Sequence, residues 1–392
     1  MRFSSPAPSR RSSHSRTSRA PRRSPLSRAV SCLAKVVANS SIDAKQYSGR
    51  RDIPMMKVKG LAALIALAVA AGPAVAQDVP KVMNMGTHGV GSLIYAMGIG
   101  IGKVVGANLD VQVHVQPGAG PTQWLPQTAS GETQLGLLNN YDAYHGRHAT
   151  GGYEKALQNK GAPILLLTSG TRNWLGPLVS GDSGIKTCAD MKGKRIVVRY
   201  TGSAGVSAQG EAVVANCGLN PKDFRAVPVA GGPDKGVQAI MDGIADVSGS
   251  GAVGMGIVAE LDARKGARFV SLDPSPAAWE RFRKHFPATP RKVEPGPGRV
   301  GVKEPVTLAE YPFYLVAAEK LSDEAAYRIV KVLWEKNADL FPLHARLKAW
   351  VKEGYVDEDA TIPYHPGAVK FYKEVGAWSP KMDAVQKKLL GR

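Results

Sequence analysis

Residues 82–105 read VMNMGTHGVGSLIYAMGIGIGKVV. The valine and methionine residues at the start predict a strand over 82–85, and the glycines that follow predict a loop over 86–92. The apolar residues from Leu93 onward predict a helix that reaches about residue 105. A strand that leads through a glycine-rich loop into a helix is the repeating unit of parallel α/β sheets.

The same order of strand, polar or glycine-rich loop and helix recurs along the chain. The further predictions are strands over 111–115, 134–138, 164–168, 195–199 and 245–248, and helices over 121–130, 206–216 and about 322–340. This repetition predicts a parallel sheet with right-handed crossovers, in which ligands bind at the carboxyl ends of the strands. Residues 287–310 are rich in proline, glycine and lysine, and we expect them to form an irregular crossing segment.

Residues 55–76 have the layout of a secretory signal peptide. Lys57 and Lys59 give it a basic start, an apolar run follows over 61–71, and it ends in Ala74-Val75-Ala76. The apolar run is too short to span a bilayer of about 30 Å as a stable helix. We therefore expect a periplasmic chain that is cleaved near Ala76, begins near Gln77 and does not itself span the membrane.

Residues 1–54 precede this signal and have a different composition. They carry 12 lysines and arginines against two aspartates in a background of serine and proline. Such a segment cannot bury enough apolar surface to fold, so we expect it to be disordered. Three interpretations stay open: a start codon placed too early, with Met55 or Met56 as the initiator, an extended signal peptide, or a nucleic-acid-binding arm.

The charge of the exported chain is much lower than that of the full sequence. The whole chain carries a net charge of +19, and residues 77–392 carry +7 once the extension and the signal peptide are removed. A mildly basic protein of this size has no need of a nucleic-acid partner, but it favours a small anionic ligand.

Cys188 and Cys217 are the two cysteines of the exported chain. Because exported compartments are oxidising, we expect them to form a disulfide that closes a loop of 28 residues. The alternative is a pair of buried free thiols.

Several short segments, taken in order, resemble the TAXI family, which comprises the extracytoplasmic solute receptors of tripartite (TRAP) transporters. They are Gly86-Thr87 to Gly91-Ser92 with Tyr95, Ser130-Gly131-Glu132, Asp182-Ser183-Gly184-Ile185-Lys186, Asp190-Met191-Lys192-Gly193-Lys194-Arg195 and Pro363-Tyr364-His365-Pro366-Gly367-Ala368. The resemblance covers about residues 80–376.

The resemblance implies an α/β fold of the type II periplasmic-binding-protein kind, with two lobes, a ligand cleft and a hinge of two crossing segments. It also implies a glutamate-like or 2-oxoglutarate-like ligand that is delivered to the subunits of a TRAP-type permease. A receptor of this kind is expected to catalyse no reaction. We expect the first lobe to comprise residues 77–170 and 316–392, with the C-terminal helices, and the second lobe to comprise residues 171–315.

The predicted ligand loops leave strands and enter helices, where backbone N–H groups favour an anion. The first lobe contributes Thr87, Gly91, Ser92, Tyr95, Gln116, Gly118, Gly120, Asn139, Asn140 and Tyr141, and the second contributes Gly202, Ser203, Gly249 and Ser250. Family members commonly carry Gln-Ser-Asp after the third strand, where this chain has Asn139-Asn140-Tyr141. This departure weakens the case for glutamate.

Arg199, at the end of a predicted strand, is the candidate for holding a carboxylate in a bidentate manner, and Arg172 is a weaker one. We predict no cofactor, no metal site and no catalytic residue. His145 and His148 have ligand spacing, but Gly146 between them favours an exposed loop. A sensor for a membrane kinase and an exported enzyme remain alternative functions.

Overall fold

The computed structural model describes residues 79–391, so the basic extension and the signal peptide lie outside the described residues. One mixed sheet of ten strands organises this part of the chain, in the order β2-β1-β3-β10-β4-β7-β5-β6, with β8 on β4 and β9 on β10. The strands are β1 Val82–Gly86, β2 Gln112–Gln116, β3 Leu135–Asn139, β4 Ile164–Ser180, β5 Arg195–Tyr200, β6 Arg225–Val229, β7 Val247–Ala252, β8 Ala267–Phe269, β9 Thr289–Val293 and β10 Val306–Ala318.

Helices alternate with most of these strands along the described residues, as in the predicted α/β pattern. They are α1 Leu93–Leu109, α2 Pro121–Ser130, α3 Asn140–His148, α4 Ala204–Asn216, α5 Pro233–Met241, α6 Gly256–Lys265, α7 Pro276–Arg283, α8 Asp323–Glu335, α9 Pro366–Glu374 and α10 Pro380–Leu389.

Two long strands divide the sheet into two lobes. The first half of β4 and the second half of β10 pair with each other, and β10 pairs there with β3. The second half of β4 pairs with β7 and β8, and the first half of β10 pairs with β9. We call the part that contains β1 to β3 the first lobe and the part that contains β5 to β9 the second lobe. The predicted fold with two crossing segments is confirmed, whereas the domain limits at 170/171 and 315/316 stay predictions. The prediction of a parallel sheet was wrong in part, because the crossing strands β4 and β10 pair antiparallel with each other and with β7 and β3.

Local sequence explains why the first lobe folds as it does. All five residues of β3 are buried, which is typical of a strand covered on both faces. Trp124 of α2 lies over Gly86 of β1 and Gly136 of β3, where no room is left for a side chain. Glycine is required at these positions because an aromatic ring takes the space that a larger residue would fill.

The prediction for residues 287–310 was wrong in part. This segment contains β9 and the start of β10, which pair antiparallel with each other. Four of the five residues of β9 are exposed, so the strand lacks the alternation of apolar and polar residues that identifies strands in sequence. Tertiary pairing with β10, and not local pattern, makes this segment extended.

The structure contains the predicted disulfide between Cys188 and Cys217. It lies within the second lobe and ties the segment before β5 to the C-terminal end of α4. In the chain-entropy description, a disulfide that closes a loop of this length stabilises the folded state by about 3–4 kcal/mol, because it restricts the unfolded chain.

We therefore expect the Cys188→Ser/Cys217→Ser double variant of residues 77–392 to lose about 3–4 kcal/mol of unfolding free energy in urea titrations. Alkylation of the unreduced wild-type protein should modify neither cysteine. Mass spectra that show two alkylated cysteines would contradict the disulfide.

Candidate functional site

A small cavity lies between the two lobes, where β1, β3 and β7 end. Its volume is about 20 Å³, which is room for about one water molecule. Its apolar lining consists of Leu93, Ile94, Leu175, Val206, Pro233, Ala252, Met255 and Phe313. Its polar lining consists of His88, Ser92, Asn139, Asn173, Gln209, Ser250 and Tyr311. We call this space the inner cavity.

A second, larger cavity opens beside it. It has a volume of about 390 Å³ and is formed by loops of both lobes, namely Gly89, Val90, Pro117, Gly118 and Ala119 with Ala230, Gly231, Gly232, Asp234 and Lys235. We call it the outer cavity. The segment from His88 to Gly89 and the segment from Gly232 to Asp234 contribute residues to both cavities, so they form the wall between them.

The inner cavity lies at the N-terminal ends of several helices. Ser92 caps α1, Asn139 caps α3 and Ser203 caps α4, each by accepting a hydrogen bond from a backbone N–H. Met255 is the residue before α6, and its side chain does not cap that helix. Helix N-termini carry partial positive charge, so their convergence favours a negatively charged group at this place.

A chain of hydrogen bonds crosses the inner cavity from the hinge strands to the second lobe. The amide nitrogens of Asn173 and Gln209 donate to the hydroxyl oxygen of Tyr311 over 2.6 and 3.0 Å. The Ser250 hydroxyl donates to the Gln209 side-chain oxygen over 2.7 Å. This network fixes the side chains of β4, β10, α4 and β7 around the cavity.

Asp142 joins the two lobes. It lies on α3 in the first lobe and is fully buried. Its carboxylate accepts two hydrogen bonds from the second lobe, one from the backbone N–H of Gly205 at 2.9 Å and one from the Ser203 hydroxyl at 3.1 Å. Tyr153 and Asn139 donate to the same carboxylate from within the first lobe. The carboxylate therefore occupies the N-terminus of α4.

Burial raises the pKa of Asp142 from 3.8 to about 6, although the hydrogen bonds from Tyr153, Ser203, Gly205 and Asn139 oppose this shift. Loss of hydration disfavours the charged carboxylate, and the four donors recover only part of that loss.

His88 and Asp234 are buried in the wall without complete hydrogen bonding. Neither ring nitrogen of His88 has a partner, and Oδ1 of Asp234 has none. Burial lowers the pKa of His88 to about 4, so its imidazole is neutral at pH 7. Burial also raises the pKa of Asp234, with Lys235 opposing the shift.

Comparison with known proteins identifies the family. A model of the NMT1-like family matches residues 85–376. The chain belongs to the NMT1-like family. Among solved structures, one described as a periplasmic transporter superposes with a TM-score of 0.51 at 12% identity, over 79% of this chain and 96% of that chain. This likeness agrees with the predicted periplasmic-binding-protein fold.

Two further structures superpose less closely. The binding-protein component of a phosphonate ABC transporter from Pseudomonas aeruginosa gives a TM-score of 0.47 at 15% identity, over 79% of this chain and 96% of that chain. The structure of PhnD1 from Prochlorococcus marinus in complex with methylphosphonate gives a TM-score of 0.45 at 11% identity, over 76% of this chain and 99% of that chain.

The structure brings some of the predicted ligand residues to the cavities. Ser92, Asn139 and Ser250 line the inner cavity, and Gly118 lines the outer one. Gly91, Gly120, Gly202 and Ser203 instead take part in contacts between the lobes.

The other predicted residues have different surroundings. Thr87 donates to the backbone oxygen of Gln116. Tyr141 stacks on Phe286 with 5.5 Å between ring centroids. Gly249 packs against α4. Neither cavity is lined by Thr87, Tyr95, Gln116, Asn140, Tyr141, Gly249 or Arg199.

Neither candidate arginine reaches the inner cavity. Arg199 is exposed on β5, and Arg172 is exposed on β4 at 4.0 Å from Asp357. The role of Arg199 stays a prediction that this geometry does not support.

Sequence reasoning missed His88, Asp142, Asn173, Gln209, Asp234 and Tyr311. Asp142 follows directly after a predicted loop, and Asp234 follows a Gly-Gly-Pro segment after a strand. These positions in the chain could have identified both residues as candidates for the cleft. Asn173 and Tyr311 lie within long strands, where nothing local marks them.

The sequence prediction for His145 and His148 was wrong in one respect, because both lie in α3 and not in a loop. No group of three or more possible metal ligands occurs within residues 79–391. Within the same range, no helix has the length and apolarity to cross a membrane.

We expect the stability difference between wild type and Asp142→Asn to depend on pH. The pKa of Asp142 is raised in the folded state, so the unfolded state releases its proton first as the pH rises. Wild type should therefore lose stability relative to the variant between about pH 4 and pH 6, with no further change above pH 7.

Urea titrations at several pH values measure this difference, and Asp182→Asn, at an exposed position, is the matched control. A difference that stays constant or grows in favour of wild type over this range would contradict the assignment.

Proposed function

We propose that this chain is a periplasmic solute receptor that binds a small organic acid or amino acid between its lobes and delivers it to a TRAP-type permease. The ordered motifs that resemble those of the TAXI family support the transporter type. The observation that carries the proposal is the pair of adjoining cavities between two lobes on crossing strands, with buried polar groups in the wall between them that lack partners.

The mechanism follows from the contacts between the lobes. Opening would break the hydrogen bonds of Asp142 to Ser203 and Gly205, and that of the Thr122 N–H to the Gly202 oxygen. A ligand that contacts both lobes stabilises the closed form, because it makes those contacts only when the lobes meet. The closed form is then the species that the permease recognises.

An exported enzyme on the same scaffold is the second candidate, because His88 and Asp234 supply a titratable pair in the wall. It would require a reacting group on the bound molecule within reach of this pair. Prolonged incubation with a bound solute, followed by mass spectrometry of that solute, separates binding from turnover. A sensor for a membrane kinase would bind its ligand in the same way, and co-purification of the receptor with its membrane partner separates these two functions.

A thermal-shift screen of residues 77–392 tests the receptor function. Binding to the folded state alone raises stability by about 2.7 kcal/mol at 100 times the Kd, so a bound solute should raise Tm by several degrees. The protein is first unfolded and refolded to remove any bound solute. No shift with organic acids, amino acids or other small metabolites would contradict the proposal.

Gly202→Ala tests whether closure and binding are coupled. A Cβ at Gly202 would collide with the backbone oxygen of Ala119 in the other lobe, so we expect the variant to favour the open form and to bind about tenfold more weakly. Gly354→Ala is the control, since a Cβ there meets nothing within 4 Å. Equal affinity of wild type and Gly202→Ala, measured by calorimetry, would show that binding does not require this contact.

A further inference from the structure

The carboxylate of Asp142 lies at the interface between the lobes and takes its hydrogen bonds from both of them. The first lobe supplies Nδ2 of Asn139 at 2.7 Å and the Tyr153 hydroxyl at 2.5 Å. The second lobe supplies the Gly205 N–H at 2.9 Å and the Ser203 hydroxyl at 3.1 Å. Two of these four donors are therefore available to the carboxylate only while the lobes are closed.

Contacts between the lobes enclose this carboxylate. Asp142 is 0% exposed, and a Cβ built on Gly205 would collide with its carboxylate oxygens, so no water fits between the carboxylate and α4. Residues next to Asp142 and to its partners in the chain also meet across the interface. The contacts are those of Gly152 with Ala204, Gly120 with Gly202 and Tyr141 with Phe286. Opening would separate these pairs and admit water to the carboxylate.

No cation compensates the buried charge. Within residues 79–391, no lysine, arginine or histidine influences the pKa of Asp142. The titratable groups that face it are tyrosines, namely Tyr153, Tyr141 of α3 and Tyr311 of β10. The pKa of each tyrosine is raised, so all three are neutral in the range where a carboxyl group titrates.

The charges one step farther away are also mainly negative. Glu154 of the first lobe and Glu211 of α4 both raise the pKa of Tyr141. His145 lies near Glu154, and Nδ1 of His285 lies 3.6 Å from Glu211. These histidines can contribute a pH dependence of their own, so a test must separate their titration from that of Asp142.

The surroundings of Asp142 suit a protonated carboxyl group as well as a carboxylate. The hydroxyl groups of Tyr153 and Ser203 can accept as well as donate, so the carboxyl O–H has an acceptor available in the closed form. Burial of the ionised form costs hydration, and this cost raises the pKa of Asp142 from 3.8 to about 6.

The direction of the pH effect follows from linkage. In the open form, water reaches the carboxylate and its pKa returns toward 3.8. The closed form thus binds the proton more tightly than the open form, and a fall in pH from about 6 to about 4 favours closure. Above this range Asp142 is ionised in both forms, and closure carries the full cost of burying its charge.

We propose that closure of the lobes takes up a proton at Asp142, so that acidification shifts the receptor toward its closed form. The proton comes from the solvent and adds to one carboxylate oxygen. The inference deepens the proposed receptor function and rests on it, since a closed receptor retains its solute. Closure itself can be measured without any solute.

Hydrogen–deuterium exchange of refolded residues 77–392 measures closure directly. The reporters are the N–H groups of Thr122 and Ile257, whose hydrogen bonds to the oxygens of Gly202 and Gly91 cross between the lobes. After correction for the intrinsic exchange rate, we expect both amides to be protected roughly tenfold more strongly at pH 5 than at pH 7.

Three variants assign the effect to Asp142. Asp142→Asn cannot titrate, so protection of the two amides should become independent of pH. Asp182→Asn, at an exposed position of the second lobe, should keep the pH dependence of wild type. Tyr153→Phe removes a donor that lowers the pKa of Asp142, so the midpoint of the pH dependence should move to higher pH. Tyr153→Phe keeps the titrating carboxyl group and decides the matter if Asp142→Asn fails to fold.

Three results would overturn the proposal. They are protection in wild type that stays constant or falls on acidification, a pH dependence that persists unchanged in Asp142→Asn, and a midpoint that does not move in Tyr153→Phe. The second result would assign the pH dependence to other groups, such as the two histidines. All three leave the receptor function standing, because that function is tested by solute binding and this experiment contains no solute.

Discussion

The antiparallel pairing of β4 with β10 is the constraint on which the rest of the structure depends. Both strands run through both lobes, so the lobes share one sheet and are linked by two backbone segments. The ladder is irregular between Pro312 and Tyr314, at the place where the strands pass from one lobe to the other. Two crossings with a local irregularity allow rotation of the lobes but little sliding, and hinge closure of this kind brings loops from distant parts of the chain together.

The charge arrangement of the cleft follows from this closure. Helix N-termini from both lobes meet between them and would favour an anion if nothing else were present. Asp142 and Asp234 occupy two of these termini, which leaves a largely apolar cavity with unused acceptors in its wall.

The alternation of strands, glycine-rich loops and helices was readable from the sequence because each element buries its own apolar face. Ser92, Asn139 and Ser250 were placed near the ligand region for the same reason, since they follow or end strands within that repeating pattern. The pattern failed for β9, whose exposed polar residues become a strand only through pairing with β10. For Arg199, alternation along a strand does not say which lobe surface faces the cleft, so its role stays a prediction.

The sequence by itself determined the α/β class and the position of four of the ten helices in the described residues, since these depend on local periodicity. It predicted the pairing of Cys188 with Cys217 from the oxidising compartment and the two-lobed fold from the family resemblance. Only the tertiary structure decided which polar groups are buried together. Asp142 and Ser203 are 61 residues apart, and His88 is still farther from Asp234 in the sequence. Their contacts depend on how two lobes close on a shared sheet, and closure is a property of long-range packing that no short stretch of sequence encodes.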